Sequence, residues 1–338
     1  MAAILNYYET ETTCAPYNLA MEEALAEEVG KTESGCFMLW QNSPSVIIGR
    51  HQNALSEVNL PELKRRDITL VRRMTGGGAV YHDLGNLNFT FLLPQAERQD
   101  ISHLELLTPL LDYLKSLGVP AGMEGRNDIS VTGAGKFSGL ASRQMPGRFQ
   151  LHGTIMYDVD LSVLGEVLLV DPAKFKSKGV ASVRARVTNL KPFLPITLGE
   201  FWAGFRDACN IAPGRIPMAV QDKASALAET KYSRDDWNVG QSPQADIFLK
   251  NRFPFGSLEL HLAAKKNLIT QVKITGDFLT PSNTDDQIPI EKLEQSLISL
   301  PADHPRQWAE AWSRFDLTKV FYGQILQTDV TGWLADSI

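Results

Sequence analysis

Short candidate strands joined by tight turns fill much of the first half of the chain, and they restrict its fold more than any other feature. Between residues 129 and 158, three apolar segments alternate with a Thr-Gly-Ala-Gly turn and a Met-Pro-Gly-Arg turn. Strands connected this closely pair antiparallel. No regular strand–helix–strand alternation is visible, which disfavours a doubly wound parallel sheet. The pattern predicts an α+β fold, with helices packed on mixed or antiparallel sheets.

Helices are predicted from their end signals. Residues 18–29 form an apolar-periodic segment, and this periodicity places Glu22 and Glu23 on its outward face. Ser102 and Thr197 each stand three residues before a glutamate, which is the spacing of a capping box. Helices are therefore expected to begin directly after these two residues.

The last hundred residues have a separate character. A turn-rich connector spans 237–243, a hairpin is predicted across 263–267, and helical patterns follow residue 290. A length of 338 residues agrees with two domains. We predict a large domain over 1–246 and a small α+β domain over 247–338.

Composition excludes several classes of protein. The 33 basic and 39 acidic residues give a net charge of −6, which disfavours a nucleic-acid partner. Three cysteines cannot form a disulfide framework. Residues 1–12 have no basic start and no long apolar stretch, so no signal peptide is expected, and no apolar run approaches the roughly 20 residues that a bilayer requires. A cytoplasmic protein without membrane association is expected.

The segment RRMTGGGAVYHD (72–83) is the sharpest local feature. Successive glycines allow backbone N–H groups to approach a ligand closely, and arginine binds carboxylate or phosphate through two parallel hydrogen bonds. Arg72 and Arg73 beside Gly76, Gly77 and Gly78 therefore suit an acyl phosphate or a nucleotide. A flexible loop beside a surface arginine pair accounts for the composition equally well.

Lys136 lies on a short predicted strand among small and apolar neighbours. Its ammonium could bridge a carboxylate and a phosphate, although most lysines are simply solvated. Asn127 and Asp128 precede this strand and are turn-forming types. Asp128 could alternatively hold Mg²⁺ or orient Lys136.

A third feature is an uneven distribution of charge. Residues 172–199 carry Lys174, Lys176, Lys178, Arg184, Arg186 and Lys191, and no acidic residue. Such a segment suits an anion site, and a solvated basic loop is at least as good an interpretation. Walker A, Rossmann, nucleophile-elbow and zinc-protease motifs are absent from the sequence. His82 and His152 taken singly are typical of packed histidines.

The combination of segments resembles the lipoate–protein ligase family. Five blocks occur in the family's order: RRMTGGGAVYHDLGN (72–86), GRNDI (125–129), KFSGLA (136–141), HGT (152–154) and KGVASVRARVTNL (178–190). Each block is weak evidence alone, but the ordered set is specific. The connector and the small C-terminal domain match the bacterial two-domain form.

The resemblance implies a reaction in two steps, a set of ligands and a role for individual residues. Lipoate and ATP would form lipoyl-AMP, and the lipoyl group would pass to a lysine of an acceptor. The implied acceptors are apo lipoyl domains of 2-oxoacid dehydrogenase E2 subunits or the glycine-cleavage H protein, and the enzyme would act as a monomer.

The resemblance also implies roles for individual residues. Arg73 and the loop of Gly76, Gly77, Gly78, Ala79, Val80 and Tyr81 would wrap lipoyl-AMP. Lys136 would contact carboxylate and α-phosphate oxygens as the catalytic residue. Asn127 and Asp128 would lie beside the phosphate with Mg²⁺, for which Asp128 is the candidate ligand. His82, His152 and Gly153 would contact the substrate, and the basic segment would cover the adenylate.

Two departures and three rival functions accompany the resemblance. Met74-Thr75 replaces a frequent Ser-Ser, and Leu151 precedes His152 where many relatives have a second histidine; we expect altered substrate handling without loss of chemistry. Octanoyl or lipoyl transferases use a cysteine near the site and no ATP, yet residues 37–208 contain no cysteine. Biotin ligases need an Arg/Gly-rich adenylate loop that the sequence lacks. A non-catalytic lipoyl-binding protein on the same fold is the third rival.

Overall fold

A seven-stranded sheet is the centre of the first 240 residues. The computed structural model describes residues 4–31, 34–94, 102–125, 127–169, 187–240, 245–280 and 288–337. The strands of this part are β1 (Ile4–Glu9), β2 (Ser34–Trp40), β3 (Ser45–Ile48), β4 (Thr69–Arg72), β5 (Val80–His82), β6 (Asn86–Pro94), β7 (Ala121–Glu124), β8 (Asp128–Val131), β9 (Gly135–Met145) and β10 (Arg148–Met156). The large sheet has the order β1-β2-β6-β10-β9-β8-β7, and a second sheet has the order β4-β3-β5.

Both sheets mix parallel and antiparallel pairs. β1 pairs with β2 in parallel, and so does β3 with β4, while the meander from β7 to β10 is antiparallel. The predicted α+β class with mixed sheets is therefore confirmed. The sequence patterns did not reveal β1 and β7.

Helices cover both faces of the large sheet. They are α1 (Ala15–Val29), α2 (Ala54–Glu57), α3 (Leu60–Arg66), α4 (His103–Ser116), α5 (Leu161–Val167), α6 (Leu198–Cys209), α7 (Met218–Leu227) and α8 (Asp235–Asn238). On one face α4 and α6 bury a cluster that includes Leu110, Leu114, Phe201 and Phe205. On the other face α1 and α7 pack over Met38 and Leu92. No helix within the described ranges is long and apolar enough to cross a membrane.

Both predicted capping residues begin helices. Thr197 accepts from the backbone of Glu200, whose side chain accepts from the Thr197 backbone in return. Ser102 accepts from the backbone N–H of Glu105. Such caps satisfy N–H groups that have no partner inside the helix. Pro109 lies inside α4, which continues through it as one helix.

The C-terminal part has its own sheet and its own core. β11 (Ile247–Phe253), β12 (Gly256–Lys265) and β13 (Leu268–Thr275) form an antiparallel sheet. The helices α9 (Ile290–Leu297), α10 (Pro305–Ser313) and α11 (Gln327–Ala335) complete this part. Trp308 and Trp312 are fully buried in a cluster drawn entirely from residues 253–334.

The C-terminal part packs against the loop that follows β3. The backbone N–H of Gly276 donates to the carbonyl of His51 at 2.9 Å, and the ring of Phe278 stacks on that of His51 at 5.0 Å. A Cβ atom added to Gly76 would lie 2.5 Å from the carbonyl oxygen of Phe278. Gly76 therefore allows the glycine loop to approach the C-terminal part.

Candidate functional site

A cavity of about 440 Å³ lies where the large sheet, the β4-β3-β5 sheet and the C-terminal part meet. Its polar lining residues include Lys136, Asp128, Asn127 and Glu124. Its apolar lining residues include Leu19, Trp40, Ile47, Leu140 and Ala141. A cavity lined by both charged and apolar side chains suits a ligand that has a charged head and an uncharged tail.

Arg73 shapes the glycine loop from the inside. Its guanidinium donates to the carbonyls of Gly76 (2.7 Å), Gly78 (2.8 Å) and Ile47 (3.0 Å). Gly77 has φ of +89°, which L side chains rarely adopt. Because the carbonyls of Gly76 and Gly78 face Arg73, the loop is curled around that side chain. In the described contacts, the N–H groups of Gly77 and Gly78 donate to no protein acceptor, and both residues line the cavity.

Arg72 has a structural position and does not line the cavity. It is fully buried, and its guanidinium donates to the carbonyls of Gly49, Gln52, Trp237 and Asn238. Burial and the charge of Arg50 lower the pKa of Arg72 to about 9. The hypothesis of an arginine pair that holds an anion is therefore wrong for Arg72, which ties β4 to the connector.

Lys136 reaches the cavity from a bulge in β9. The register with β8 shifts so that Ile129 faces Ser138 while Ser130 faces Lys136, leaving Phe137 as the extra residue. Phe137 is fully buried, and the Lys136 ammonium lies 2.7 Å from the Asp128 carboxylate. Thr188 donates its backbone N–H to the Lys136 carbonyl at 2.8 Å, which brings the end of the 178–190 block beside this strand.

Asp128 is placed where it orients Lys136. Its side chain is 45% exposed and faces the cavity together with Asn127. Within the described ranges, no group of three or more His, Cys, Asp or Glu side chains could hold a metal ion. Mg²⁺ commonly binds through one or two carboxylates plus phosphate oxygens. Asp128 fits that arrangement when the phosphates supply the other ligands.

His152 belongs to a buried hydrogen-bonded chain behind the glycine loop. Its Nδ1 lies 2.9 Å from the Glu22 carboxylate and its Nε2 lies 2.8 Å from Thr75 Oγ1. Thr75 Oγ1 also accepts from Arg73 Nε at 3.0 Å. A carboxylate accepts hydrogen bonds, so in the neutral ring Nδ1 carries the hydrogen and Nε2 accepts from the threonine hydroxyl. The chain connects His152 to the arginine that shapes the loop.

Glu22 does not occupy the outward face predicted for it. It is 3% exposed and accepts from Thr90 Oγ1 (2.6 Å) and Gln150 Nε2 (3.2 Å) in addition to His152. The outward prediction is wrong because α1 is covered on several sides. Glu23, also predicted outward, is half-buried and paired with Lys231 at 2.7 Å.

The remaining predicted residues divide into two groups. Ala79, Val80, His82 and Gly153 line the cavity, whereas Gly76 and Tyr81 do not. A Cβ atom on Gly153 would lie 2.5 Å from the Phe89 ring, so only glycine fits there. Tyr81 is packed in the apolar cluster beneath α3 and α5.

Most of the predicted basic segment lies outside the described residues. Lys174, Lys176, Lys178, Arg184 and Arg186 belong to residues 170–186, which the structure does not describe. Lys191 is described, and it pairs with Asp158 at the surface.

Several residues that line the cavity belong to no motif that the sequence analysis could recognise. Arg252, Asp277, Leu279 and Tyr322 of the C-terminal part line the same cavity as Lys136. Arg252 lies 3.3 Å from Asp277, whose other oxygen accepts from the Ser257 hydroxyl at 2.9 Å. Their positions depend on how the C-terminal part packs, which no local motif encodes.

None of the three cysteines lines the cavity. Cys36 is buried in β2, and burial raises its pKa to about 12. Burial likewise raises the pKa of Cys209 to about 12. Cys14 is exposed and stands at the start of α1. No cysteine is therefore placed to form a thioester with a ligand in this cavity.

Comparison with known families agrees with this geometry. Residues 14–209 match the lipoyl protein ligase A/B catalytic domain, and residues 242–334 match the bacterial lipoate protein ligase C-terminus. The chain is 37% identical over 270 residues to lipoate-protein ligase LplJ of Bacillus subtilis (strain 168), covering 77% of this chain and 81% of that protein. The chain belongs to the lipoate–protein ligase family.

Solved structures of lipoate ligases show the same fold. One is a structure of lipoate-protein ligase A bound with ATP. The alignment covers 71% of this chain and 99% of that chain, with 29% sequence identity and a TM-score of 0.59. Another is a bipartite lipoate protein ligase from Thermoplasma acidophilum, studied with its E2 lipoyl domain. The alignment covers 73% of this chain and 100% of that chain, with 29% sequence identity and a TM-score of 0.62. Lipoate ligases with this fold therefore include proteins that bind ATP.

Proposed function

We propose that this member of the lipoate–protein ligase family activates lipoate with ATP and transfers the lipoyl group to a lysine of an acceptor protein. In the first step a carboxylate oxygen of lipoate attacks the α-phosphorus of ATP, and pyrophosphate leaves. In the second step the acceptor amine attacks the acyl carbonyl, AMP leaves, and an amide forms. The observation that carries the proposal is the Lys136 ammonium, paired with Asp128 and lining a cavity that also has many apolar side chains in its walls.

Lys136 is the proposed catalytic residue. During the first step negative charge collects on oxygens between the carboxylate and the α-phosphate, and a fixed ammonium stabilises that charge. Asp128 holds the ammonium at 2.7 Å before the ligand enters. The unpaired N–H groups of Gly77 and Gly78 are proposed to bind the same oxygens.

ATP is expected to bring Mg²⁺, and Asp128 is the proposed protein ligand. The ion would neutralise phosphate charge when bound. One exposed carboxylate suits an ion that takes most of its ligands from phosphate and water.

The acceptors proposed are apo lipoyl domains of 2-oxoacid dehydrogenase E2 subunits or an H protein. The Thermoplasma relative studied with an E2 lipoyl domain supports the first class. Because one chain supplies every cavity wall described, we propose that the enzyme acts as a monomer. The three free cysteines agree with a reducing compartment and a cytoplasmic location.

The domain division is proposed at residue 246. β11 begins at Ile247, and the C-terminal core contains residues 253–334 only. The connector lies against Arg72 through Trp237 and Asn238.

Lipoate-dependent exchange of pyrophosphate into ATP tests the first step. The second step is tested by incubation with ATP, lipoate and a panel of apo acceptor domains, followed by mass spectrometry. Exchange by a variant with all three cysteines replaced supports direct adenylation. Acyl transfer from a thioester donor without ATP, and no exchange, would show an ATP-independent transferase instead.

A further inference from the structure

Glu124 lines the same cavity as Lys136 and has one carboxylate oxygen without a protein donor. It lies on β7 directly opposite Asp128 of β8, and opposed residues of paired strands project from the same face of a sheet. One oxygen of Glu124 accepts from the Ser130 hydroxyl at 2.7 Å. In the described contacts, the second oxygen accepts from no protein group. Glu124 therefore offers negative charge to a ligand in this cavity.

The other carboxylates that line the cavity, within the described part of the chain, already have charged partners. Asp128 holds the Lys136 ammonium at 2.7 Å. Both oxygens of Asp277 accept from side chains of the C-terminal part. Like charges on directly opposed strand residues destabilise a sheet. Because Lys136 pairs with Asp128 alone, the position of Glu124 suits a second cation.

The proposed reaction brings one cation that needs a partner, the lysine of the acceptor. A lysine with a pKa near 10.4 is almost fully protonated at neutral pH. The cavity already contains the cationic side chains of Arg73, Lys136 and Arg252, which repel it. An anionic side chain is therefore required to bring the acceptor lysine to lipoyl-AMP.

Glu124 is placed where a protein acceptor can reach it. It is the last residue of β7, and β7 is an edge strand of the large sheet. Its side chain is exposed, although it also lines the cavity. A lysine on the surface of a folded domain can meet such a residue without entering the apolar part of the cavity.

We propose that Glu124 binds the ammonium of the acceptor lysine and holds this side chain next to the acyl group of lipoyl-AMP. This inference rests on the proposed ligase function. Glu124 lies opposite Asp128, and Asp128 holds the ammonium of Lys136, which is the proposed contact of the acyl-phosphate oxygens. The bound lysine is thereby kept near the bond that it attacks.

The transfer step then runs as follows. The acceptor ammonium gives one proton to water, and the neutral nitrogen attacks the acyl carbon. The bond between that carbon and the phosphate oxygen breaks, and its electron pair leaves with AMP. A second proton passes from nitrogen to water as the amide forms.

Two substitutions of Glu124 change its charge, and one substitution elsewhere is the control. Glu124→Gln removes the charge and retains the size of the side chain. Glu124→Lys reverses the charge. Glu310→Gln is the matched control, because Glu310 is exposed on α10 and does not line the cavity. All three positions tested are exposed, so each variant is expected to fold.

The measurement is kcat/KM for an apo E2 lipoyl domain with supplied lipoyl-AMP. We expect Glu124→Gln to lower this value by about tenfold and Glu124→Lys by about a hundredfold. Lipoate-dependent pyrophosphate exchange should be unchanged in Glu124→Gln. The reaction of lipoyl-AMP with hydroxylamine, a nucleophile that is neutral at pH 7, should also be unchanged. Glu310→Gln should match the wild type in every assay.

Unchanged transfer to the lipoyl domain in both Glu124 variants would overturn the inference and leave the ligase function intact. Equal losses in exchange and in transfer would place Glu124 on ATP or its metal ion, and a loss with hydroxylamine equal to that with the lipoyl domain would show that Glu124 does not recognise the charge of the amine; either result overturns the inference. No exchange in the wild type would overturn the proposed function and this inference with it.

Discussion

Thr75 Oγ1 and His152 Nε2 lie 2.8 Å apart, and this contact joins the glycine loop to the large sheet. Thr75 is 1% exposed and also accepts from Arg73 Nε. His152 in turn contacts Glu22 on α1. The glycine loop, which lines the cavity through Gly77 and Gly78, is thus held by a continuous chain of hydrogen bonds from a helix on one face of the sheet.

Thr75→Val should loosen the loop and destabilise the fold. Valine has a similar shape but leaves Arg73 Nε and His152 Nε2 without partners, at about 1–3 kcal/mol for each buried group. Chemical denaturation should show a lowered free energy of unfolding, and lipoate binding should weaken. Thr75→Ser retains the hydroxyl and should behave nearly as the wild type. Equal stability of the valine and serine variants would show that the contact contributes nothing.

Lys136→Ala should abolish adenylation and preserve the fold. Its only ion-pair partner in the described structure, Asp128, is 45% exposed, so the pair adds at most about 1 kcal/mol to stability. Loss of a charge that stabilises the transition state lowers kcat by about a hundredfold or more. Pyrophosphate exchange and thermal unfolding measure the two effects. Lys191→Ala removes an exposed pair with Asp158 and is the matched control. A variant that is unfolded by circular dichroism would make Lys136 structural.

The sequence was most informative where a residue's function depends on its own neighbours in the chain. Arg73 shortly precedes the glycine loop whose carbonyls it binds, and Asp128 lies on the strand next to that of Lys136. The structure brings these residues to one cavity. Glu22 was misplaced because helical periodicity separates apolar from polar residues but cannot show that a carboxylate has three buried donors. Arg72 and Arg73 are adjacent and chemically identical, yet only Arg73 lines the cavity. The two side chains lie in different surroundings because neighbouring residues of a strand point to opposite faces. The partners of Arg72 include Trp237 and Asn238 of the connector, more than 160 residues away in the sequence.

Arg252→Gln should slow adenylation more than transfer. Arg252 comes from the C-terminal part and is held by Asp277 at the cavity that contains Lys136. We expect a guanidinium in this place to bind the ATP phosphates during the first step, whereas lipoyl-AMP has only one phosphate left. Exchange should fall by about tenfold with an increased KM for ATP. Transfer from supplied lipoyl-AMP to an apo lipoyl domain should be nearly unchanged.

Arg234→Gln is the control for Arg252, because Arg234 forms a similar exposed pair with Asp236 away from the cavity. Equal losses in both half-reactions would indicate that Arg252 only supports the packing of the C-terminal part.

Stability should decrease below about pH 6.5 because His82 is buried in its neutral form. Burial lowers its pKa to about 3, and the charges of Arg73 and His152 act in the same direction. In the unfolded chain a histidine has a pKa near 6.5. Between these values the unfolded state binds a proton that the native state does not, so the free energy of unfolding falls as the pH falls. From pH 7 to pH 5 this contribution lowers the free energy of unfolding of the wild type by about 2 kcal/mol.

His82→Asn tests this argument because it removes the titrating group. Between pH 7 and pH 5, the free energy of unfolding of this variant should fall by about 2 kcal/mol less than that of the wild type. Denaturant titrations of both proteins at pH 7 and pH 5 measure the difference, and parallel pH dependences would mean that His82 is protonated in the native state.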